Sequence, residues 1–302
     1  VYQANGIWSS LVGYQALSTA ITNSRFVNGS SVVEYLREEY SAADGSSVTE
    51  YVYSDRLGSD IQFYGGSDNL VDGNDFVGGA QGVLVTEGAA TIQNNNWSDY
   101  SRFGAYFLSG IGTSTFSNNN FEDAAGNFIG CEDSSFDAFD STVDRTLSGS
   151  FGTTEIYTDG ILSGSYAAST TIYPAVNLNN CTANLSNLTF NDTAATAIYA
   201  AGGAISMDTI AIARPGADGL AVASAVNLDG TMADLSVNID GLTITDQGAG
   251  AALTHSSSSI EGSYVSTLVG TNIVVTGSDG YGIESNYAET ILSGVSLSGT
   301  ES

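Results

Sequence analysis

Two six-residue blocks, "IQNNNW" at residues 92–97 and "FSNNNF" at residues 116–121, restate one pattern 24 residues apart (116 − 92). Each reads apolar, any, Asn, any, any, apolar. The pattern returns as "ITNSRF" (Ile21, Asn23, Phe26) and "LSNLTF" (Leu185, Asn187, Phe190), and "ISMDTI" keeps the apolar ends with Met207 in the Asn place. A second landmark, a glycine leading into a short apolar run, sits at Gly82, Gly104 and Gly126, 22 residues apart each time (104 − 82 and 126 − 104). In the C-terminal half, Leu188, Ile210, Leu242, Ile273 and Val295 open one series of apolar runs, while Ile198, Leu220, Ala252 and Ile283 open another. The two series stay ten residues apart (198 − 188, 220 − 210, 252 − 242, 283 − 273), so the longer steps reflect loops inserted outside the strands.

A 22-residue unit is too short for a helical hairpin, and the chain holds only two prolines. Each unit offers two or three short runs of β-formers such as "LTFND" and "TAIYA", punctuated by Gly, Asn and Asp. A unit that small cannot bury its own apolar face and must stack on copies of itself, at about 4.8 Å per rung. The expected product is a parallel β-solenoid. Its turns would carry a hydrogen-bonded ladder of Asn23, Asn94, Asn118 and Asn187, with Phe26, Trp97, Phe121 and Phe190 stacked inside.

These units resemble the right-handed parallel β-helix repeat of pectate-lyase-like proteins, in which units of this length carry an apolar-x-Asn-x-x-apolar turn. The likeness covers residues 61–302 and, less regularly, 14–30. It implies an all-β chain built as a single right-handed parallel β-helix of about ten to twelve coils, each of about 22 residues. Residues 61–302 would form the β-helix, and residues 1–60 an N-terminal coil plus a small cap or insertion. Within the latter, "SSVVEYLREEY" has Val32, Val33, Leu36 and Tyr40 at helical spacing behind a Ser31–Glu34 capping box, and "SVTEYVYSD" alternates like an edge strand. Proteins of this kind include enzymes, fibres, adhesins and surface proteins, so the resemblance speaks to fold more than to function.

Charge narrows the partners. The chain has 33 acidic residues against six arginines and no lysine, a net charge of −27. Such a surface repels phosphate backbones and anionic lipid, which disfavours nucleic acid and membrane binding, and it favours cations. No apolar run is long enough to span a bilayer. The chain opens at Val1 without a charged-then-apolar leader, as a processed secreted protein would. Six N-x-S/T sequons, at Asn28, Asn96, Asn180, Asn184, Asn187 and Asn191, also suit a secreted or cell-surface glycoprotein. Cys131 and Cys181 match no metal spacing. They lie 50 residues apart (181 − 131), a little over two coils, so a disulfide between them requires a loop excursion, and cysteines of a neighbour are the alternative.

The resemblance also says what an enzyme would need: calcium-ligating carboxylates beside an Arg or Lys base, or clustered aspartates with a His and a Lys. Lysine is missing, and the one histidine, His255, has no acidic residue within five positions, which reads as a turn residue. "DNLVDGND" (Asp68, Asp72, Asn74, Asp75) and the run Glu132, Asp133, Asp137, Asp140 and Asp144 are the candidate calcium ligands, with Asp137 and Asp140 foremost in the second. The expectation is a non-enzymatic extracellular structural protein, a self-assembling subunit of a surface layer, sheath, fibre or adhesin stalk. Its partners would be copies of itself or other envelope proteins, with calcium assisting. A β-helix polysaccharide lyase, a glycoside hydrolase or a carbohydrate-binding module are the alternatives.

Overall fold

The computed structural model describes residues 11–14, 18–27, 35–41, 47–53, 59–124, 126–146, 149–150, 153–158, 161–167, 170–171, 173–226, 232–257, 259–260, 263–264 and 266–299, and every regular element among them is a β-strand. Twenty-three of the strands form one sheet system wound into three parallel faces. Face A aligns Leu11, Ile61, Val83, Ala105, Ile129, Val176, Ile198, Leu220, Leu253 and Ile283. Face B aligns Ile21, Val71, Ile92, Phe116, Ala138, Leu185, Met207, Ile239, Gly270 and Leu292. Face C aligns Phe26, Phe76, Trp97, Phe121, Val143, Phe190, Ile212, Ile244, Val275 and Leu297. The described residues therefore make ten rungs, and a regular rung takes 22 residues (83 − 61).

Alternation along each strand sends every second side chain inward, where it stacks on its equivalent one rung away. Face C holds the largest column. The rings of Phe26 and Phe76 lie 4.9 Å apart at 13°, and those of Phe76 and Trp97 lie 5.0 Å apart at 4°, close to the rung spacing itself. Phe121 and Phe190 continue the column, fully buried. Gly82 is required beside this stack, because a Cβ there would meet the Gly104 carbonyl oxygen at 2.3 Å and Trp97 Nε1 at 2.5 Å.

The corner between faces B and C turns on one residue in the left-handed region. That residue is Asn23, Gly73, Asn94, Asn118, Asp140, Asn187, Thr209, Gly241, Asn272 and Gly294 in successive rungs, all with φ between 48° and 82°. Gly, Asn and Asp tolerate this conformation best, which is why the repeat writes them there.

The Asn positions singled out from sequence are thus the corner residues, and their side chains are exposed. The internal ladder is one residue later. Asn74 N donates to Asn95 Oδ1 at 2.9 Å, Asn95 N to Asn119 Oδ1 at 2.9 Å, and Asn119 N to Ser141 Oγ at 3.1 Å. Each amide group also donates back to a carbonyl of the preceding rung: Asn74 to Ile21, Asn95 to Val71 and Asn119 to Ile92. From rung 6 onward the same slot holds Leu188, Ile210, Leu242 and Ile273, so a polar ladder gives way to an apolar one. The unit "ISMDTI" is shifted accordingly: Met207 is a core residue of face B, and Thr209 is the corner.

Two long excursions leave the corner between faces C and A. Residues 28–58 separate rungs 1 and 2, and residues 147–172 separate rungs 5 and 6. The expected helix is not formed: Tyr35–Ser41 is a strand, while Ser31 to Glu34 lie outside the described residues. Ser47–Tyr53 is an inner strand and not an edge, because it pairs with Tyr35–Ser41 on one side and with Thr153–Thr158 on the other. With Ile161–Ala167 these make a four-stranded antiparallel sheet contributed by both excursions. Residues 11–27 pair in register with rung 2 and belong to the same solenoid as residues 61–299.

Replacing Asn95 by Ala should cost on the order of 3 kcal/mol, because it leaves the buried Asn74 N–H without its ladder acceptor and the Asn119 amide oxygen without its side-chain donor, whereas Asn94→Gly at the adjacent corner should change stability by a few tenths. Equal effects in chemical unfolding would refute the ladder. Thr209, the one β-branched residue at this corner, has φ 55°, and Thr209→Asn should stabilise by about 1 kcal/mol. An unchanged or lower unfolding midpoint would count against strain there.

Candidate functional site

The outer side of face C in rungs 1–4 carries a shallow groove of about 390 Å³. Arg25, Asp75, Asn96 and Asn120 follow one another in register along it, with Ser98 and Glu122 in the next outward column. Asn96 Nδ2 donates to Asp75 Oδ1 at 3.1 Å. The groove presents one guanidinium, two carboxylates and two amides over the Phe76–Trp97 stack, a set suited to hydrogen-bonding hydroxyl groups of an extended ligand. Arg25 and Asp75 are 50 residues apart in sequence (75 − 25), so sequence reasoning missed the pairing; only the register across the first excursion brings them together.

Elsewhere seven outward aspartates are engaged rung to rung. Asp72 accepts from Asn94 Nδ2 at 2.8 Å, Asp133 from Asn180 at 2.6 Å, Asp137 from Asn184 at 2.7 Å and Asp140 from Asn187 at 2.6 Å. Asp240 accepts from both Thr271 and Asn272, and these hydrogen bonds hold its carboxyl below the usual range. At the corner between faces C and A, Arg145 pairs with Asp123, and Arg214 pairs with Asp192 at 2.5 and 2.8 Å. The charge-assisted hydrogen bonds lower both aspartates and raise both arginines.

This arrangement separates the residues proposed from sequence as calcium ligands. Asn74 is buried and committed to the internal ladder, so it is not a surface ligand. Asp68 and Asp72 sit at opposite ends of the strand Asp68–Asp72, Asp75 lies round the corner on face C, and Asp137 and Asp140 are each bound to a different Asn. Among the described residues no three or more His, Cys, Asp or Glu gather into a metal-ligating group. Of the sequon asparagines, Asn96, Asn180, Asn184 and Asn187 are exposed, Asn191 is half-buried, and Asn28 lies outside the described residues.

Cys131 and Cys181 are joined by a disulfide with Cα atoms 6.4 Å apart. They lie on adjacent rungs, because the 147–172 excursion stretches the step between Ile129 and Val176 to 47 residues (176 − 129) within a single turn. In the chain-entropy picture, closing a loop of 50 residues stabilises the fold by about 4 kcal/mol.

His255 is a core residue and not a turn residue. It points inward from face A in rung 9, fully buried, with Nδ1 2.8 Å from Thr290 Oγ1 and Nε2 2.7 Å from Ser266 Oγ. Burial pushes its pKa down to about 4. A second buried polar contact, also unforeseen, joins the Tyr100 hydroxyl to Asp60 Oδ2; burial, and then the Asp60 charge, push the phenol up.

A family model described as "right handed beta helix region" matches residues 6–149, which span rungs 1–5. The chain is a parallel β-helix. No curated protein and no solved structure matches it. Among the described residues of this β-helix, no helix is long and apolar enough to cross a membrane.

The buried histidine sets a pH dependence. An unfolded His titrates near 6.5 and the folded one near 4, so the unfolded state binds more protons across that interval. Stability due to His255 is complete above about 6.5 and is lost as pH falls toward 4. Wild type should therefore lose unfolding free energy relative to His255→Gln as pH is lowered from 7 to 4.5. A pH-independent difference between the two would refute it.

Proposed function

We propose that this β-helix is a non-enzymatic structural rod of an extracellular surface assembly. The observation that carries the reading is how the outer polar groups are used. Aspartates 72, 133, 137, 140 and 240 each accept a hydrogen bond from an Asn on the next rung, and Asp123 and Asp192 are held by arginines. Groups tied to neighbouring rungs strengthen the rod and are poorly placed to move protons or release a ligand. The disulfide between rungs 5 and 6 suits an oxidising environment. Self-association would be opposed by the charge of −27 and relieved by divalent cations, which both screen and bridge carboxylates.

The groove on face C supports a second reading, in which Arg25, Asp75, Asn96, Asn120 and Glu122 hold a polysaccharide strand along the rod. One experiment separates the two. The protein is incubated with neutral and acidic polysaccharides, with calcium and with a chelator, while new reducing or unsaturated ends and the sedimentation coefficient are followed at fixed ionic strength. The structural reading expects no new ends and a faster-sedimenting species in calcium. Chain cleavage by a protein that stays monomeric would overturn it.

A further inference from the structure

The densest acidic run and the densest sequon cluster turn out to face each other. Asp133, Asp137, Asp140 and Asp144 on rung 5 are spaced 4, 3 and 4 residues apart, and Asn180, Asn184, Asn187 and Asn191 on rung 6 repeat the same spacing (184 − 180, 187 − 184, 191 − 187). The register sets each Asn directly on an Asp: Asp137 faces Asn184 and Asp144 faces Asn191 in the ladders, while Asn180 and Asn187 reach Asp133 and Asp140 by hydrogen bonds of 2.6 Å. On the other side, rung 7 places Ser206 against Asn184 and Ala213 against Asn191. Gly202 stands against Asn180, where an added Cβ would come within 3.4 Å of the Asn180 backbone, and Thr209 is the corner above Asn187. Every neighbour on that side is small.

Alternation settles direction. Cys181, Ala183, Leu185 and Leu188 are buried between the asparagines, so Asn180, Asn184 and Asn187 all project outward and are exposed. Their hydroxyl partners Thr182, Ser186 and Thr189 share the outer side. The fourth site differs, because Thr193 is buried and donates to the Ala195 carbonyl.

We propose that Asn180, Asn184 and Asn187 carry N-linked glycans, which form a belt on one rung in the middle of the rod. The amide nitrogen of each bonds to the anomeric carbon of an activated glycosyl donor and loses one proton. The donor's lipid-linked phosphate departs with the bonding electrons. An asparagine amide has two N–H groups, so the one that remains still donates to the carboxylate beneath, and the small residues of rung 7 leave the other side open for the sugar. Asn96 offers no such clearance, since it lies between Asp75 and Asn120. The belt makes rung 6 of face B a surface that other copies cannot approach closely, and any lateral contact of the rod falls elsewhere.

This inference rests on the extracellular reading, and the test keeps the two apart. Protein isolated from its natural source is cleaved, under non-reducing and reducing conditions, with a protease that cuts on the N-terminal side of aspartate; Asp159 and Asp192 bracket the whole cluster in one peptide, residues 159–191. A peptide N-glycosidase in heavy-oxygen water converts each occupied asparagine to a labelled aspartate, read by mass spectrometry. Labels at Asn180, Asn184 and Asn187, with Asn96 unlabelled, are the expected result. In a glycosylating host, Thr182→Ala, Ser186→Ala and Thr189→Ala should each remove one glycan while leaving the Asn–Asp hydrogen bond and the unfolding midpoint in place. Unmodified asparagines in a protein whose Cys131–Cys181 bridge is oxidised would overturn the belt alone. Unmodified asparagines with free thiols would overturn the belt and the extracellular reading together.

Discussion

Vertical register at the rung spacing of about 4.8 Å is the constraint on which the rest of this molecule depends. It turns every residue choice into a column, so that each side chain meets its counterpart above and below. Inside, that multiplies favourable contacts: a ring on face C stacks on a ring, and an Asn just past a corner pairs with an Asn. Outside, it multiplies the penalties. Two carboxylates in one column would lie within a few ångströms of each other, which is costly for a chain of net charge −27. Several columns avoid this by interleaving, with Asn over Asp on faces B and C and Arg beside Asp at the third corner, while Glu122 with Asp144 and Asp208 with Asp240 are left in register.

The boundary between rungs 5 and 6 is where several of these devices change together. The Asn ladder ends on Ser141, whose hydroxyl accepts from Asn119 N and donates to the Phe139 carbonyl. Beyond it the same slot is aliphatic, beginning with Leu188. The long excursion leaves here, and the disulfide crosses here, tying Cys131 to Cys181. A solenoid is stabilised by nearest-neighbour interfaces, so a rung with a long insertion is its weak link. A covalent tie across that interface offsets the entropy of the inserted loop.

The fold was legible because periodicity is a property of sequence. The apolar-x-Asn-x-x-apolar blocks mark the corner between faces B and C in every rung where they occur, and the aromatic residues read as stacked are buried. Legibility failed by one residue at the Asn run, since "NNN" holds a left-handed corner residue, an inward ladder residue and an outward strand residue side by side. Composition does not say which is which; the phase is set by where Ile92 and Trp97 point. It failed again wherever chemistry depends on residues brought together across an excursion. Arg25 with Asp75, Asp133 with Asn180, and Cys131 with Cys181 are adjacent only after insertions are removed from the count. The helical spacing in residues 31–40 gave way to the strand Tyr35–Ser41, which pairs with Ser47–Tyr53, itself paired with Thr153–Thr158 more than a hundred residues away in the second excursion.

That pairing gives the N-terminal half an organisation the repeat alone would not. Rungs in a plain solenoid couple only to their neighbours, so cooperativity decays along the rod. Here the excursion after rung 1 supplies Tyr35–Ser41 and Ser47–Tyr53, and the excursion after rung 5 supplies Thr153–Thr158 and Ile161–Ala167, all in one antiparallel sheet. The backbone hydrogen bonds between Ser47–Tyr53 and Thr153–Thr158 link rung 1 to rung 5 without passing through the rungs between them. Unfolding any rung from 1 to 5 must then break the sheet or strain it, which raises the size of the cooperative unit. Rungs 7–10 have only short hairpins at residues 225–233 and 259–264, each paired within itself, and no such link among the described residues. The rod is therefore asymmetric: a clamped half that carries the polar internal ladder and the face C groove, and an open half in which that ladder slot is apolar.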